Sequence, residues 1–135
     1  MELAEIGKNI LTNCMNVKPG ENVLIVTDDE KYAIGQALYQ AAKLLKAEAM
    51  LMTMTAREVS GQEPPAVVAA AMKAADVVIC PMKTSITHTR AKIEAAEAGA
   101  RIATMPGITE EMFAMGAMTA DYSRVMALTE QVTDL

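Results

Sequence analysis

Tryptophan is absent, phenylalanine occurs once and tyrosine three times. These aromatics, Tyr32, Tyr39, Phe113 and Tyr122, are too scattered to make a stacking platform for single-stranded bases. Positive charge is in deficit: 12 Lys and Arg against 17 Asp and Glu leave a net charge of −5. A phosphate backbone is repelled on average, and no nucleic-acid partner is expected. Cysteine occurs twice, as Cys14 and Cys80, with no C-x-x-C spacing. Both read as small buried hydrophobes of a protein in the reducing cytoplasm. A single histidine, His88, and two remote cysteines supply no zinc-ligand set. There is no Walker loop and no G-x-G-x-x-G, and the turn after the first apolar strand, Thr27-Asp28-Asp29-Glu30, would repel a pyrophosphate. The longest apolar runs, such as Val23 to Val26 and Val77 to Cys80, are far below the roughly 20 residues a membrane helix needs. No membrane partner is expected.

What is present fits one α/β domain over residues 1–135. An apolar fraction of 52% over 135 residues can fill a single core, in which folding hides roughly 68% of the unfolded chain's surface. Mean hydropathy of +0.19 with 12 methionines is high for a surface bathed wholly in water and hints at a covered apolar area.

Leu3, Ile6, Ile10, Leu11 and Cys14 recur at helical spacing, predicting a helix over the first 15 residues that ends before the turn Lys18-Pro19-Gly20-Glu21. Asn22 to Thr27 is a β-branched run typical of a strand buried on both faces. Asp28, Asp29 and Glu30 then cap a helix whose stripe is Ile34, Leu38, Ala41 and Leu45. Ala47 to Thr55 is a second strand, apolar on both alternating sets. Pro65 starts a helix with a small-residue face of Val67, Ala70, Ala71 and Ala74 for close approach to a sheet. Asp76 to Pro81 is the third strand. Arg90 to Ala98 is a helix closed by Gly99, and Arg101 to Met105 is the fourth strand, stopped by Pro106-Gly107. Thr109 caps a short helix with Glu110 and Glu111 in its first turn, and Asp121 to Val132 is a last helix. Four alternations of strand and helix predict a three-layer fold: a four-stranded parallel sheet of order 2-1-3-4 with helices on both faces.

In such a sheet ligands bind beyond the carboxyl ends of the strands, where the strand order reverses. The loops meeting there carry Asp28 and Asp29 on one side and Ser85, Thr87, His88 and Arg90 on the other. The first pair resembles the acidic pair of a bacterial receiver domain. However, the third strand ends in Ile79-Cys80-Pro81, where that family needs its phosphoacceptor aspartate, and no later strand offers a lysine. Capping is the better reading of Asp28 and Asp29. In the second loop, hydroxyls, an imidazole and a guanidinium at a helix start could hold an anionic or peptide-like group. Ser85 and His88 lack the glycine-flanked elbow of a nucleophile and any visible orienting acid, so no catalytic residue is assigned.

Taken in order, Pro19 to Asp28 (P-G-E-N-V-L-I-V-T-D), the helix opening Tyr32-Ala33, Ser85 to Lys92 (S-I-T-H-T-R-A-K) and Ala98 to Phe113 (A-G-A-R-I-A-T-M-P-G-I-T-E-E-M-F) resemble the amino-terminal domain of the aminopeptidase T family of leucyl aminopeptidase-type metallopeptidases. The resemblance implies a Rossmann-like or flavodoxin-like domain preceding a carboxy-terminal domain that holds two divalent metal ions of zinc or cobalt type. It further implies homodimers, a peptide substrate, and a loop Ser85 to Arg90 that borders substrate access. None of that family's metal-ligand motifs is in this chain, so by itself it is expected to hold no cofactor and to be inert as a peptidase. The competing reading is a stand-alone small-molecule-binding or receiver-like signalling module.

Overall fold

A computed structural model describes residues 3–13, 15–56, 58, 62–84, 89–109 and 111. The predicted short helix after Thr109 and the predicted last helix, Asp121 to Val132, lie outside the described residues, as do Cys14, Ser85, Thr87 and His88.

The elements follow in the order α1 (Leu3–Asn13), β1 (Asn22–Asp28), α2 (Tyr32–Leu44), β2 (Glu48–Met54), α3 (Ala66–Ala74), β3 (Val77–Met82), α4 (Arg90–Glu97) and β4 (Arg101–Pro106). All pairings are parallel, and the sheet order is β2-β1-β3-β4. The expected three-layer α/β architecture is therefore the observed one. No helix among the described residues is long and apolar enough to cross a membrane.

The pleat sends alternate residues to opposite faces, and two cores result. On one face Val23, Ile25, Val77, Ile79, Ala103 and Met105 pack with Ile6, Ile10 and Leu11 of α1 and Ile34, Leu38 and Ala41 of α2. On the other, Leu24, Val26, Val78, Cys80, Met82 and Ile102 pack with Val68 and Met72 of α3 and Ala91 and Ala95 of α4. β1 and β3 are buried along nearly their whole length, as their unbroken β-branched runs require.

Two expectations need correction. Most of the small-residue stripe of α3 does not face the sheet: Val67 is 72% exposed and Ala70 and Ala74 are exposed, only Ala71 packs half-buried against the core, and Val68 and Met72 are the buried residues. Residues 68 and 72, four apart, offer a larger apolar pair than the alanines, and burying the larger side chains removes more area from water. β2 is not sealed on both sides either. It is an edge strand whose residues are mostly exposed or half-buried, with Met50 41% exposed.

The cap of α4 agrees with expectation. Gly99 takes φ +108, a backbone region open to glycine at little steric cost, while its amide and that of Ala100 donate to the carbonyls of Ala96 and Ala95.

Lys92 of α4 is only 1% exposed and lies on the Cys80 side of the sheet. Burial lowers its pKa from the ordinary value of 10.5, and burial raises the Cys80 thiol to about 12. A lysine whose value is lower folded than unfolded costs stability wherever both states are charged. That cost is full below the folded value and fades as pH climbs toward 10.5. Lys92→Met, similar in volume and without charge, is expected to raise stability at pH 7 by roughly 1 kcal/mol. Urea midpoints at several pH values check this: the gain should shrink as pH approaches the lysine's ordinary range, and a pH-independent gain would trace to packing instead.

Candidate functional site

β1 runs into an Asp28-Asp29 pair because its last residue must end the ladder and turn the chain toward α2. Asp28 is fully buried. Its Oδ1 accepts from the amides of Glu30 at 3.1 Å and Lys31 at 3.0 Å, forming the tight turn that leads into α2 at Tyr32. Its Oδ2 accepts from the amide of Lys83 at 2.7 Å, across the gap from β1 to the exit of β3. Asp29 reaches the other way: its Oδ1 accepts from the amide of Ala56 at 3.2 Å, and its own amide donates to Met54 O. The two carboxylates thus staple the exits of β2, β1 and β3 together. They are not side-chain caps of α2 proper, whose N-cap position is Lys31 with no side-chain hydrogen bond. Thr27 adds to the same seam by donating its hydroxyl to Pro81 O at 2.8 Å.

Charge above this seam is balanced locally. The Lys83 ammonium lies 3.2 Å from Glu30 and 3.7 Å from Glu58. Its hydrogen bond to Glu30, then the charges of Glu30 and Glu58, raise its pKa, so it stays a cation across the physiological range. On the neighbouring side of the mouth a small cavity of about 220 Å³ opens between the start of α2 and the exit of β4, lined by Glu30, Lys31, Ala33, Ile34, Ile108 and Thr109.

The start of α4 holds the residue that sequence reasoning missed. Thr89 is the N-cap, accepting from Lys92 N at 3.2 Å. Glu63, from the loop before α3, accepts from Arg90 N at 2.7 Å and Ala91 N at 3.2 Å. The amides expected to greet an anionic ligand are therefore occupied by the chain's own carboxylate, a natural partner for the positive end of a helix. Glu63 stands 27 positions from Arg90. Its only local signal was a carboxylate beside two prolines, which names no partner.

Of the candidate residues, Asp28 and Asp29 are drawn together at the strand exits. Arg90 lies exposed at the head of α4, its Nε 3.9 Å from Glu94. Ser85, Thr87 and His88 belong to the segment between Thr84 and Thr89 that lies outside the described residues, so their expected role is untested. Among the described residues no three His, Cys, Asp or Glu side chains converge as a metal site. Asp28 and Glu63 spend both oxygens on backbone amides, and Glu30 and Glu58 pair with Lys83. The described part of the mouth does not fit a metal ion.

A family model described as NicX: 2,5-dihydroxypyridine 5,6-dioxygenase matches residues 2–134. The chain is similar to the solved structure of 2,5-dihydroxypyridine dioxygenase from Pseudomonas putida KT2440, with 17% identity over 77% of this chain and 33% of that one and a TM-score of 0.62. It also aligns with wild-type AmpT from Thermus thermophilus, with 12% identity over 96% of this chain and 32% of that one and a TM-score of 0.45. The first likeness bears on the fold; the second is too distant to carry an argument. No curated protein matches. The chain spans about a third of the length of each of these two proteins.

Proposed function

The chain belongs to the NicX, 2,5-dihydroxypyridine 5,6-dioxygenase family, and from that membership we propose that residues 1–135 form the α/β scaffold of a metal-dependent enzyme that opens a hydroxylated pyridine ring. The family match over residues 2–134 carries this reading. Its reactive centre lies in polypeptide other than the described residues. Oxygenases of the non-haem iron class bind their metal through two histidines and a carboxylate, and the described residues offer no such set. No step through a metal is assigned to them. Their part is positional. Asp28, Asp29 and Thr27 hold the strand exits together, and Ser85, Thr87, His88 and Arg90, which follow β3 in the chain at the switch point, would contact the approaching substrate.

Peptide hydrolysis is the second reading, favoured by the resemblance of Ser85–Lys92 and Ala98–Phe113 to the aminopeptidase T family. In that reading two zinc- or cobalt-type ions in a carboxy-terminal domain would do the chemistry, and this chain would again supply the scaffold.

One experiment separates the two and tests the loop. The protein encoded by the complete reading frame is assayed for oxygen uptake and ring opening with 2,5-dihydroxypyridine and iron(II), and for leucine release from a leucyl anilide with zinc or cobalt. The dioxygenase reading predicts turnover in the first assay alone; leucine release alone would replace it with the second reading. In whichever assay is positive, His88→Ala with Arg90→Ala is expected to raise KM about tenfold, equivalent to ~1.4 kcal/mol of lost binding, with kcat nearly unchanged. Unaltered kinetics would leave the loop a purely structural connection.

A further inference from the structure

We propose that the open edge of β2 is a self-pairing surface, on which a second copy of this chain docks its own β2 antiparallel to extend the sheet from four strands to eight. The backbone fixes which groups are available. Glu48 N donates to Glu21 O, and Met54 O accepts from Asp29 N, so Glu48, Met50, Met52 and Met54 direct their peptide groups toward β1. The alternate residues Ala49, Leu51 and Thr53 direct theirs outward. Among the described residues no strand pairs that outer edge.

Edge strands are normally protected by charge, proline or a bulge. β4, the other edge, has Arg101 at one end and Pro106 at the other, and Ile102 to Met105 are buried. β2 carries a charge only at its first residue, Glu48: from Ala49 to Ala56 there is no charged residue and no proline, and it pairs with β1 in unbroken register over seven residues. The edge lies at the bottom of an apolar groove of about 620 Å³, flanked by Tyr39 of α2 on one side of the sheet and Ala71 of α3 on the other.

The choice of a second copy rests on the strand's own pattern. Ala49-Met50-Leu51-Met52-Thr53 reads nearly the same in both directions about Leu51. A two-fold axis through Leu51 places Ala49 opposite Thr53, Met50 opposite Met52, and Glu48 opposite Met54. No like charges meet, the small residues face each other, and the half-exposed methionines pair. That is the self-complementarity an isologous interface requires. Burying this strip also accounts for the high mean hydropathy.

Sedimentation and hydrogen exchange on the purified 135-residue chain test the proposal. The expected mass is twice the 14.4 kDa of one chain, with the amides of Ala49, Leu51 and Thr53 protected. Thr53→Lys, at an exposed position, should weaken the dimer at least tenfold while leaving the circular dichroism and melting temperature of the monomer intact. Leu51→Cys should gain a spontaneous intermolecular disulfide, because residues facing each other across such an axis lie about 5.5 Å apart at Cα. A chain that stays monomeric at millimolar concentration overturns the proposal, and so does a dimer indifferent to Thr53→Lys. Monomers with protected Ala49, Leu51 and Thr53 amides would assign the edge to another part of the same chain and overturn it equally.

Discussion

Asp28→Ala is expected to destabilise the domain by about 3–5 kcal/mol, the largest effect of any single side-chain truncation at the mouth of the sheet. The carboxylate is fully buried and accepts three backbone N–H groups, from Glu30, Lys31 and Lys83. Alanine leaves the amides of Glu30 and Lys83 without their acceptor at a fully buried position, while the Lys31 amide keeps the backbone carbonyl of residue 28. Asp28→Asn tests the reason. The amide oxygen can take the place of Oδ1 toward Glu30 and Lys31, but its NH2 group then confronts the donor of Lys83, so a loss of roughly half that size is expected. Urea unfolding followed by circular dichroism measures both. Equal losses for the two variants would mean that the Oδ1 contacts to Glu30 and Lys31 carry nothing, and an Asn variant as stable as the parent would mean that the Lys83 contact carries nothing.

Gly35→Ala is expected to cost about 1–2 kcal/mol net although it replaces glycine by the best helix former. A Cβ at position 35 would lie 2.7 Å from both Cβ and Cγ2 of Thr27, and neither atom can retreat, because Thr27 is fully buried in β1 and its hydroxyl is bound to Pro81 O. Overpacking of this kind costs ~1–3 kcal/mol, more than the ~1 kcal/mol gained in helix propensity. Gly7→Ala is the internal control. There the new Cβ meets Ala41 Cβ at 3.2 Å, a contact that a small shift between α1 and α2 relieves, so propensity and crowding should nearly cancel. Equal thermal shifts for the two variants would contradict the claim that α2 rides directly on β1 at Gly35.

The two glycines show how far a sequence carries a reader. Alternation of β-branched runs with helical stripes was enough to order the sheet β2-β1-β3-β4, because each crossover must bury its apolar face on one side of the strands. The Asp28-Asp29 pair was visible as a turn signal, yet what it does depends on Lys83 and Ala56, 55 and 27 residues away. No local pattern announces such a partner. The same holds for Glu63, whose two oxygens quiet the head of α4 from a loop that reads as merely polar. The choice of Val68 and Met72 as the buried face of α3 was legible in principle from side-chain size, but a run of alanines satisfies several helical faces at once. The exposure of β2 follows from its place at the sheet edge, which the predicted order already contained; its apolar pattern on both faces pointed instead to burial. The central residues of the candidate loop, Ser85, Thr87 and His88, were nominated by chemistry alone, and the described geometry bears only on their flanks, Lys83 and Arg90.

Titration of the purified 135-residue chain with iron(II), zinc(II) and cobalt(II), followed by calorimetry and by turnover of 2,5-dihydroxypyridine and a leucyl anilide, tests most directly the claim that this domain is a scaffold for chemistry sited elsewhere. The expected result is no stoichiometric binding tighter than about 100 μM, a free energy weaker than roughly −5.5 kcal/mol, and no turnover of either compound. Tight one-to-one or two-to-one metal uptake accompanied by ring opening or leucine release would contradict it.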